Sequence, residues 1–273
     1  MKKKLFSLVM AMAMVLSLAA CGGDNNKTPA AANAKVDTNT VAVGAVVIAR
    51  DDVPEDDIYA FVSAIFENID TITEQHSKGG ELDLAFASSV TSVPYHPGAA
   101  KYFAEKGKTV AADNVQLGFV QSDVMSYAYN GERLFDHKVD SFSVVAALYM
   151  EQVQIVTTNP DIKSVADLAG KTVSIGDRGS GVWFNACDVL QAYGIDPDTG
   201  ISPVYQGFGD SADSLKDGKI DAAFVVAGAP TNAIVDLATA KPVYLVSLDD
   251  SHTNDLLKSS PYYSAYTIKA GTY

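Results

Sequence analysis

The stretch that decides the fold is Ile162–Leu190, IKSVADLAGKTVSIGDRGSGVWFNACDVL. It predicts a short helix, a tight turn, a strand, a glycine-rich loop and a second helix. A strand that leads through such a loop into a helix places exposed N–H groups beside the positive end of the helix dipole. The stretch therefore predicts a site for an anionic ligand. Its candidate contacts are Arg178, Gly179, Ser180 and Gly181; Arg178 could also face solvent instead of adding a bidentate contact.

Apolar strands alternate with amphipathic helices through the rest of the chain. The predicted strands are Thr40–Arg50, Val115–Val120, Val144–Thr157, Lys171–Gly176, Ala222–Val226 and Pro242–Ser247. The predicted helices are Ile58–Ile72, Ala99–Lys106, Val182–Tyr193 and Ser211–Leu215. This rhythm predicts an α/β fold with mixed, mostly parallel sheets. At this length, two lobes are expected.

Two further predicted strands end in loops that offer small residues, free N–H groups and hydroxyl or amide side chains. The candidate ligand contacts there are Gln121, Ser122 and Asp123 in one loop, and Gly228 and Thr231 in the other. Ligand sites in open α/β sheets lie beyond the carboxyl ends of strands. Each loop alone could be a plain turn. Together with the glycine-rich loop they predict a ligand site.

The first residues of the chain predict export. Three lysines precede an apolar run, Leu5–Leu16, that is too short to span a membrane and ends at small residues. The segment Leu18–Cys21 resembles a bacterial lipobox, which implies cleavage before Cys21 and attachment of lipid to its sulfur. The alternative is an ordinary signal peptide with a chance cysteine. The small and polar residues that follow suit a flexible tether.

Composition excludes several classes of function. The formal net charge of −13 argues against a nucleic-acid partner, because phosphate contacts need clustered Lys and Arg. The four histidines show no metal-ligand spacing, so neither a metal site nor a cofactor is predicted. Cys187 would be the one cysteine left after lipidation of Cys21, which leaves no disulfide framework. We expect no enzymatic activity. A hydrolase with Ser180 as nucleophile is a weaker alternative, because Asp177 stands where a G-x-S-x-G elbow requires glycine.

Several longer blocks resemble the TAXI-type solute-binding proteins of TRAP transporters. They are VAVGAVVIARDDVPEDDIYAFVSAIFENID (41–70), VPYHPGAAKYF (93–103), VQLGFVQSDVMSYAYNG (115–131), SVVAALYMEQVQIVTT (143–158), IKSVADLAGKTVSIGDRGSG (162–181), SLKDGKIDAAFVVAGAPTNAIVDLA (214–238) and IKAGTY (268–273). The resemblance implies a periplasmic-binding-protein type II-like fold with two lobes and an interlobe cleft. It also implies a receptor on the extracytoplasmic face of a bacterial cell membrane, which captures a small carboxylate such as glutamate and delivers it to TRAP-type permease subunits.

The resemblance and the residue pattern together predict the domain organisation. Residues 1–20 are the signal peptide, 21–39 the lipidated tether, 40–150 plus 232–273 the first lobe, and 151–231 the second lobe. The receptor is expected to be a monomer that contacts the membrane through its lipid anchor.

The order of the blocks differs from the family's order. In the family the block at 41–70 follows the AGTY segment, whereas in this chain AGTY (270–273) is far downstream of it. The chain thus resembles a permuted member whose join lies at Val110–Asn114. It also lacks the family's opening block, so we expect an incomplete first lobe with exposed strand edges and apolar helix faces. A rearranged remnant that does not bind solute is therefore an alternative function.

Overall fold

The computed structural model describes residues 36–50, 52–106 and 115–273. The predicted signal peptide, Cys21, most of the tether and the predicted join at 110–114 lie outside these residues. The chain divides into two units, of which the first is Gly44–Tyr149 and the second combines the segment that ends at Val43 with Met150–Tyr273. Within the described ranges, no helix has the length and apolar character needed to cross a membrane.

The first unit contains the helices described before residue 150. Its elements are β1 (Thr38–Arg50), which enters from the second unit, α1 (Glu55–Phe66), α2 (Ile69–Gln75), a 3₁₀ turn (Ser77–Glu81), α3 (Leu84–Ala87), α4 (Pro97–Glu105), β2 (Val115–Gln121), α5 (Ser122–Asn130) and β3 (Phe142–Thr157), which leads back to the second unit. The second half of β1 pairs with β2 in antiparallel register, with Ala45 opposite Gln121 and Arg50 opposite Val115.

Helix α1 forms as the apolar spacing predicts. It begins after Pro54 with acidic residues in its first turn, where carboxylates favour the helix dipole, and it buries Ile58, Phe61 and Ile65. The prediction of a single helix through Ile72 is wrong, because the helix is interrupted between Phe66 and Ile69. The Asn68 side chain donates a hydrogen bond to the Ala64 carbonyl, and such local bonds compete with the helical ladder.

The core of the first unit lies between its strands and its helices. Buried side chains of β1, α1, α4 and β3 form one apolar cluster, which includes Val46, Phe61, Tyr102 and Val145. Among the described residues of this unit, the large apolar side chains that are clearly exposed are Phe119 (49%) and Leu134 (58%). The expected exposed helix faces are therefore not a feature of α1 or α4.

The second unit follows a βα pattern. After β3 come a 3₁₀ turn (Val165–Leu168), β4 (Thr172–Ser174), α6 (Gly181–Ala192), β5 (Ser202–Val204), α7 (Phe208–Asp217), β6 (Ala222–Ala227), α8 (Asn232–Ala240), β7 (Tyr244–Leu245), α9 (Asp250–Ser259) and β8 (Ser264–Ile268). The core around β4, β6 and α6 contains Val173, Phe224 and Leu190. A second cluster, which includes Leu215, Ile234 and Tyr273, lies at α7 and α8.

Pairing in the second unit is mixed. Strand β4 is parallel to β5 and to β6, as the βα rhythm predicts. The second half of β3 pairs with β6 and β7 in antiparallel fashion, and the first half of β1 pairs with β8 likewise. The α/β class and the mixed sheets are confirmed, but the expectation that most strand pairs are parallel is wrong. The reason is that the long strands β1 and β3 run against their neighbours.

Residues 232–273, which the sequence analysis assigns to the first lobe, lie in the second unit. Strand pairing and the packing of apolar side chains explain this placement. Strand β8 pairs with the start of β1, with Thr38 opposite Ile268 and Ala42 opposite Ser264. Helix α8 packs its Ile234 and Leu237 into the cluster that contains Leu215 of α7. These contacts are all with second-unit elements.

Candidate functional site

The glycine-rich loop of the second unit joins β4 to α6. Gly176 and Gly179 have φ values of +75° and +78°, the left-handed region that glycine adopts at little cost. A Cβ on Gly176 would lie 2.6 Å from the Cβ of Val182. The close return of the loop onto the first turn of α6 therefore requires glycine at position 176.

Ser180 caps the N-terminus of α6. Its Oγ accepts a hydrogen bond from Trp183 N at 3.2 Å, and its own N–H donates to the Asp177 carbonyl at 3.0 Å. The N–H groups of Gly181 and Val182 have no acceptor among the described residues, as expected for the first turn of a helix. No acidic side chain lies in this first turn. The positive end of α6 is therefore suited to an anion.

Parallel pairing brings three helix N-termini to one edge of the second unit. Strand β4 is parallel to both β5 and β6, so the carboxyl ends of these strands point the same way. Helices α6, α7 and α8 follow those ends. The loops that carry the predicted residues Gly179, Ser180, Gly181, Gly228 and Thr231 thus share this edge, which we call the carboxyl edge. This is where open α/β sheets bind ligands.

Two buried hydroxyl groups at the carboxyl edge, those of Ser174 and Ser211, are not among the predicted contacts. Ser174, the last residue of β4, places its Oγ 2.8 Å from the Oγ of Ser211. Ser211 donates in turn to the Gly207 carbonyl at 2.8 Å, so Ser174 is the donor between the two serines. These bonds fix the first turn of α7 against β4. Ser174 stands between Val173 and Ile175 in an apolar strand, so the sequence gives no signal of this hydrogen bond.

The Arg178 side chain makes its contacts away from the start of α6, with Asp198 and Tyr205. Its Nη2 lies 3.2 Å from Asp198 Oδ1 and 2.6 Å from the Tyr205 hydroxyl. The guanidinium also stacks 4.6 Å from the centre of the Tyr205 ring. The Arg178 side chain is 62% exposed. Of the two alternatives in the sequence analysis, the structure favours the solvent-facing one, because Asp198 compensates the charge at the surface.

The hydroxyl and N–H groups of Thr231 make hydrogen bonds within the protein. Its Oγ1 donates to the Gly228 carbonyl at 3.2 Å and accepts from Gln154 Nε2 at 2.9 Å. Its N–H donates to the Tyr273 hydroxyl at 2.8 Å. Burial raises the pKa of Tyr273, so the phenol stays neutral and can donate in turn. Thr231 therefore shapes the loop before α8 through hydrogen bonds within the protein.

The predicted contacts Gln121, Ser122 and Asp123 belong to the first unit, where β2 passes into α5. Ser122 Oγ accepts from Gly44 N at 3.3 Å, which ties this turn to β1. Asp123 is completely buried, and its Oδ1 accepts from Val124 N at 2.8 Å. The Asp123 carboxylate therefore bonds within the first turn of α5.

The histidines have local structural contacts. His76 and His96 each accept a backbone hydrogen bond at Nδ1, and His252 Nδ1 lies 2.6 Å from Asp249 Oδ2. None of these three contacts involves Ser180, the candidate nucleophile of the hydrolase alternative. Over the described ranges, no group of three or more His, Cys, Asp or Glu side chains could hold a metal ion.

The fold is of the α/β class, and its carboxyl edge is the place where open α/β sheets bind ligands. Comparison with known families shows to which of them the chain belongs. The sequence matches the NMT1-like family over residues 26–107 and again over 108–273. The chain therefore belongs to the NMT1-like family, whose members are of the periplasmic substrate-binding type. The break between the two matches falls directly before the predicted join at 110–114.

Solved structures of binding proteins are similar to parts of the chain. The periplasmic aliphatic sulphonate binding protein SsuA from Escherichia coli is 22% identical over 44% of this chain and 36% of its own, with a TM-score of 0.32. An ancestral arginine-binding protein bound to arginine is 26% identical over 36% of this chain and 40% of its own, with a TM-score of 0.27. AbpA from Streptococcus pneumoniae, bound to L-arginine, is 17% identical over 44% of this chain and 45% of its own, with a TM-score of 0.26. The chain spans less than half the length of each.

Proposed function

We propose that the protein is an extracytoplasmic solute-binding receptor that captures a small carboxylate for a TRAP-type transporter and takes no part in catalysis. The observation that carries the proposal is the carboxyl edge. Here the N–H groups of Gly181 and Val182 lie at a helix N-terminus with no acid in its first turn. Backbone N–H groups in this arrangement bind carboxylates by charge-assisted hydrogen bonds. Membership of the NMT1-like family supports the receptor class.

Isothermal titration calorimetry tests the proposal on the full chain purified in detergent. L-glutamate and succinate are the first probes, and the corresponding amides, such as succinamide, serve as ligands that lack the carboxylate. We expect heat from a carboxylate and none from its amide. If no carboxylate gives heat or a thermal shift, the receptor proposal is wrong and the non-binding remnant is the better description.

Ser180→Ala locates the site. The substitution removes the cap of α6, and we expect weaker binding together with a loss of stability of about 1 kcal/mol. Ser164→Ala is the matched control, because Ser164 caps the 3₁₀ turn at Val165–Leu168 in the same unit. If both variants weaken binding equally, the carboxylate does not bind at α6. Ester hydrolysis that is lost in Ser180→Ala would instead favour the hydrolase alternative.

The proposal includes a lipid anchor at Cys21 and location at the bacterial cell membrane. The lipobox-like segment before Cys21 supports it. Metabolic labelling with palmitate is the test. We expect label on the wild type and on Cys187→Ala, whose thiol is buried in α6, but not on Cys21→Ala. Label on none of the three contradicts the anchor.

The proposed partner is a TRAP-type permease. A neighbouring reading frame for a multi-span permease, and co-purification of its product with the receptor in the presence of ligand, would support this pairing. Co-purification with an ATP-driven transporter instead would contradict the TRAP assignment while leaving the receptor class intact.

A further inference from the structure

A buried polar network lies behind the loop that joins β6 to α8. Its centre is Gln154 of β3, which is 1% exposed and lies opposite Val225 of β6. Gln154 Nε2 donates to the Ala227 carbonyl at 3.1 Å and to Thr231 Oγ1 at 2.9 Å. Gln154 Oε1 accepts from the Tyr273 hydroxyl. Every hydrogen-bonding group of the Gln154 amide therefore has a partner in this region.

A second glutamine extends the network by two residues along β3. Gln152, also 1% exposed, lies opposite Ala227, the last residue of β6. Its Oε1 accepts from Ala229 N at 2.7 Å, and its Nε2 donates to the Met150 carbonyl at 2.8 Å. Residues two apart on a strand share a face, so both glutamines point toward the same loop.

The amides of Ala229 and Thr231 in this loop thus donate their hydrogen bonds to side-chain oxygens and not to backbone carbonyl groups. The Ala229 amide is bound by Gln152, and the Thr231 amide is bound by Tyr273. Position 230 is proline, which has no N–H to offer. The conformation of the loop, and with it the start of α8 at the carboxyl edge, depends on these three side chains.

We propose that Gln152, Gln154 and Tyr273 are positioning residues that fix the 228–231 loop in its ligand-competent form. The inference rests on the proposed function, which places this loop at the ligand site. Buried polar networks in which every member is satisfied specify a single conformation, because each alternative leaves a buried group without a partner. Removal of one member should lower the population of the competent loop and raise Kd by the same factor.

Tyr273→Phe tests the proposal against the matched control Tyr263→Phe. Tyr263 is equally buried in the same unit, and its hydroxyl also makes two side-chain bonds, to Asn185 and Asp188 of α6. Both variants lose one hydroxyl and two hydrogen bonds. A purely structural role would therefore affect the two variants alike.

Amide hydrogen exchange on the full chain is the first measurement. In Tyr273→Phe we expect the amides of Ala229 and Thr231 to exchange about tenfold faster relative to those of β6, as the loop opens locally. In Tyr263→Phe that ratio should stay at its wild-type value. If the ratio changes equally in both variants, the positioning role is wrong. Gln152→Met provides a second variant that frees the Ala229 amide and leaves Tyr273 in place.

Calorimetry with L-glutamate and succinate is the second measurement. We expect Kd to rise about tenfold in Tyr273→Phe and to change little in Tyr263→Phe, because only the former depopulates the competent loop. If the wild type binds neither probe, the proposed function fails for these ligands, while the exchange measurement still decides whether the three side chains position the loop. Faster loop exchange with unchanged affinity would overturn the link between loop and ligand.

Discussion

Substitution of Gly176 by alanine tests whether the loop before α6 depends on close backbone packing. Gly176 has φ +75°, and an added Cβ would lie 2.6 Å from Val182 Cβ, 2.9 Å from Val182 Cγ1 and 3.1 Å from Ser180 Oγ. The left-handed conformation costs a non-glycine residue about 1 to 2 kcal/mol. Overpacking against Val182 adds about 1 to 3 kcal/mol. We therefore expect Gly176→Ala to lower the free energy of unfolding by about 2 to 5 kcal/mol.

Gly194→Ala separates the two contributions. Gly194 follows α6 with φ +71°, but nothing lies within 4 Å of its added Cβ. This control should therefore lose only the conformational part, about 1 to 2 kcal/mol. The difference between the variants measures the contact with Val182.

Urea unfolding followed by tryptophan fluorescence is a suitable assay, because the single tryptophan, Trp183, lies in the first turn of α6. A native emission spectrum that shifts in Gly176→Ala but not in Gly194→Ala would show that the N-terminus of α6 moves. If the two variants lose the same stability within about 0.5 kcal/mol, the close packing of Gly176 does not constrain the loop.

Three further changes test other parts of the structure. Gly98→Ala should destabilise the first unit by about 1 to 3 kcal/mol in thermal unfolding, because its Cβ would lie 2.2 Å from the Glu55 carbonyl oxygen; an unchanged midpoint would contradict the close approach of α4 to α1. Phe224→Ala should cost about 3 to 5 kcal/mol in urea unfolding, because the ring is 1% exposed in the core of the second unit; a loss under 1 kcal/mol would mean that this core is loosely packed. Hydrogen bonds from the backbone and side chain of His252 lower the pKa of Asp249 from 3.8 to about 2. Its stabilising charge is therefore present above pH 4 and lost as pH falls toward 2, so Asp249→Asn, which keeps the cap of α9, should flatten the acid limb of stability in that window. An unchanged acid limb would contradict this prediction.

Much of the fold is readable from local sequence signals. Continuous apolar runs predicted β1 and β3, and the glycine-rich loop predicted the β4–α6 unit, whereas the capping role of Ser180 became evident only from the structure. These features depend on residues close together in the chain. Strand direction does not, since it depends on which distant segments pair. That is why antiparallel pairing of β3 with β6 was not predicted.

Only the backbone of the candidate site, namely its loops at the strand ends, could be predicted from the sequence. Glycines and serines at strand ends identified the loops, because those residue types are required locally. The side chains that hold the loops come from elsewhere in the sequence. Gln152 and Gln154 stand within an apolar strand, and their spacing of two was a signal that could have been used. Tyr273 offered no such signal, since its partner Thr231 is 42 positions away.

The position of Asp37 has a consequence for the order in which the second unit can form. Its carboxylate binds Lys269 Nζ at 2.8 Å and the Ala270 N–H at 3.0 Å, although 233 positions separate Asp37 from Ala270. Strands β8 and β1 thus lie side by side in antiparallel pairing, with Thr38 opposite Ile268. Because β1 is synthesised long before β8, this pair of strands forms only after Ala270 has left the ribosome.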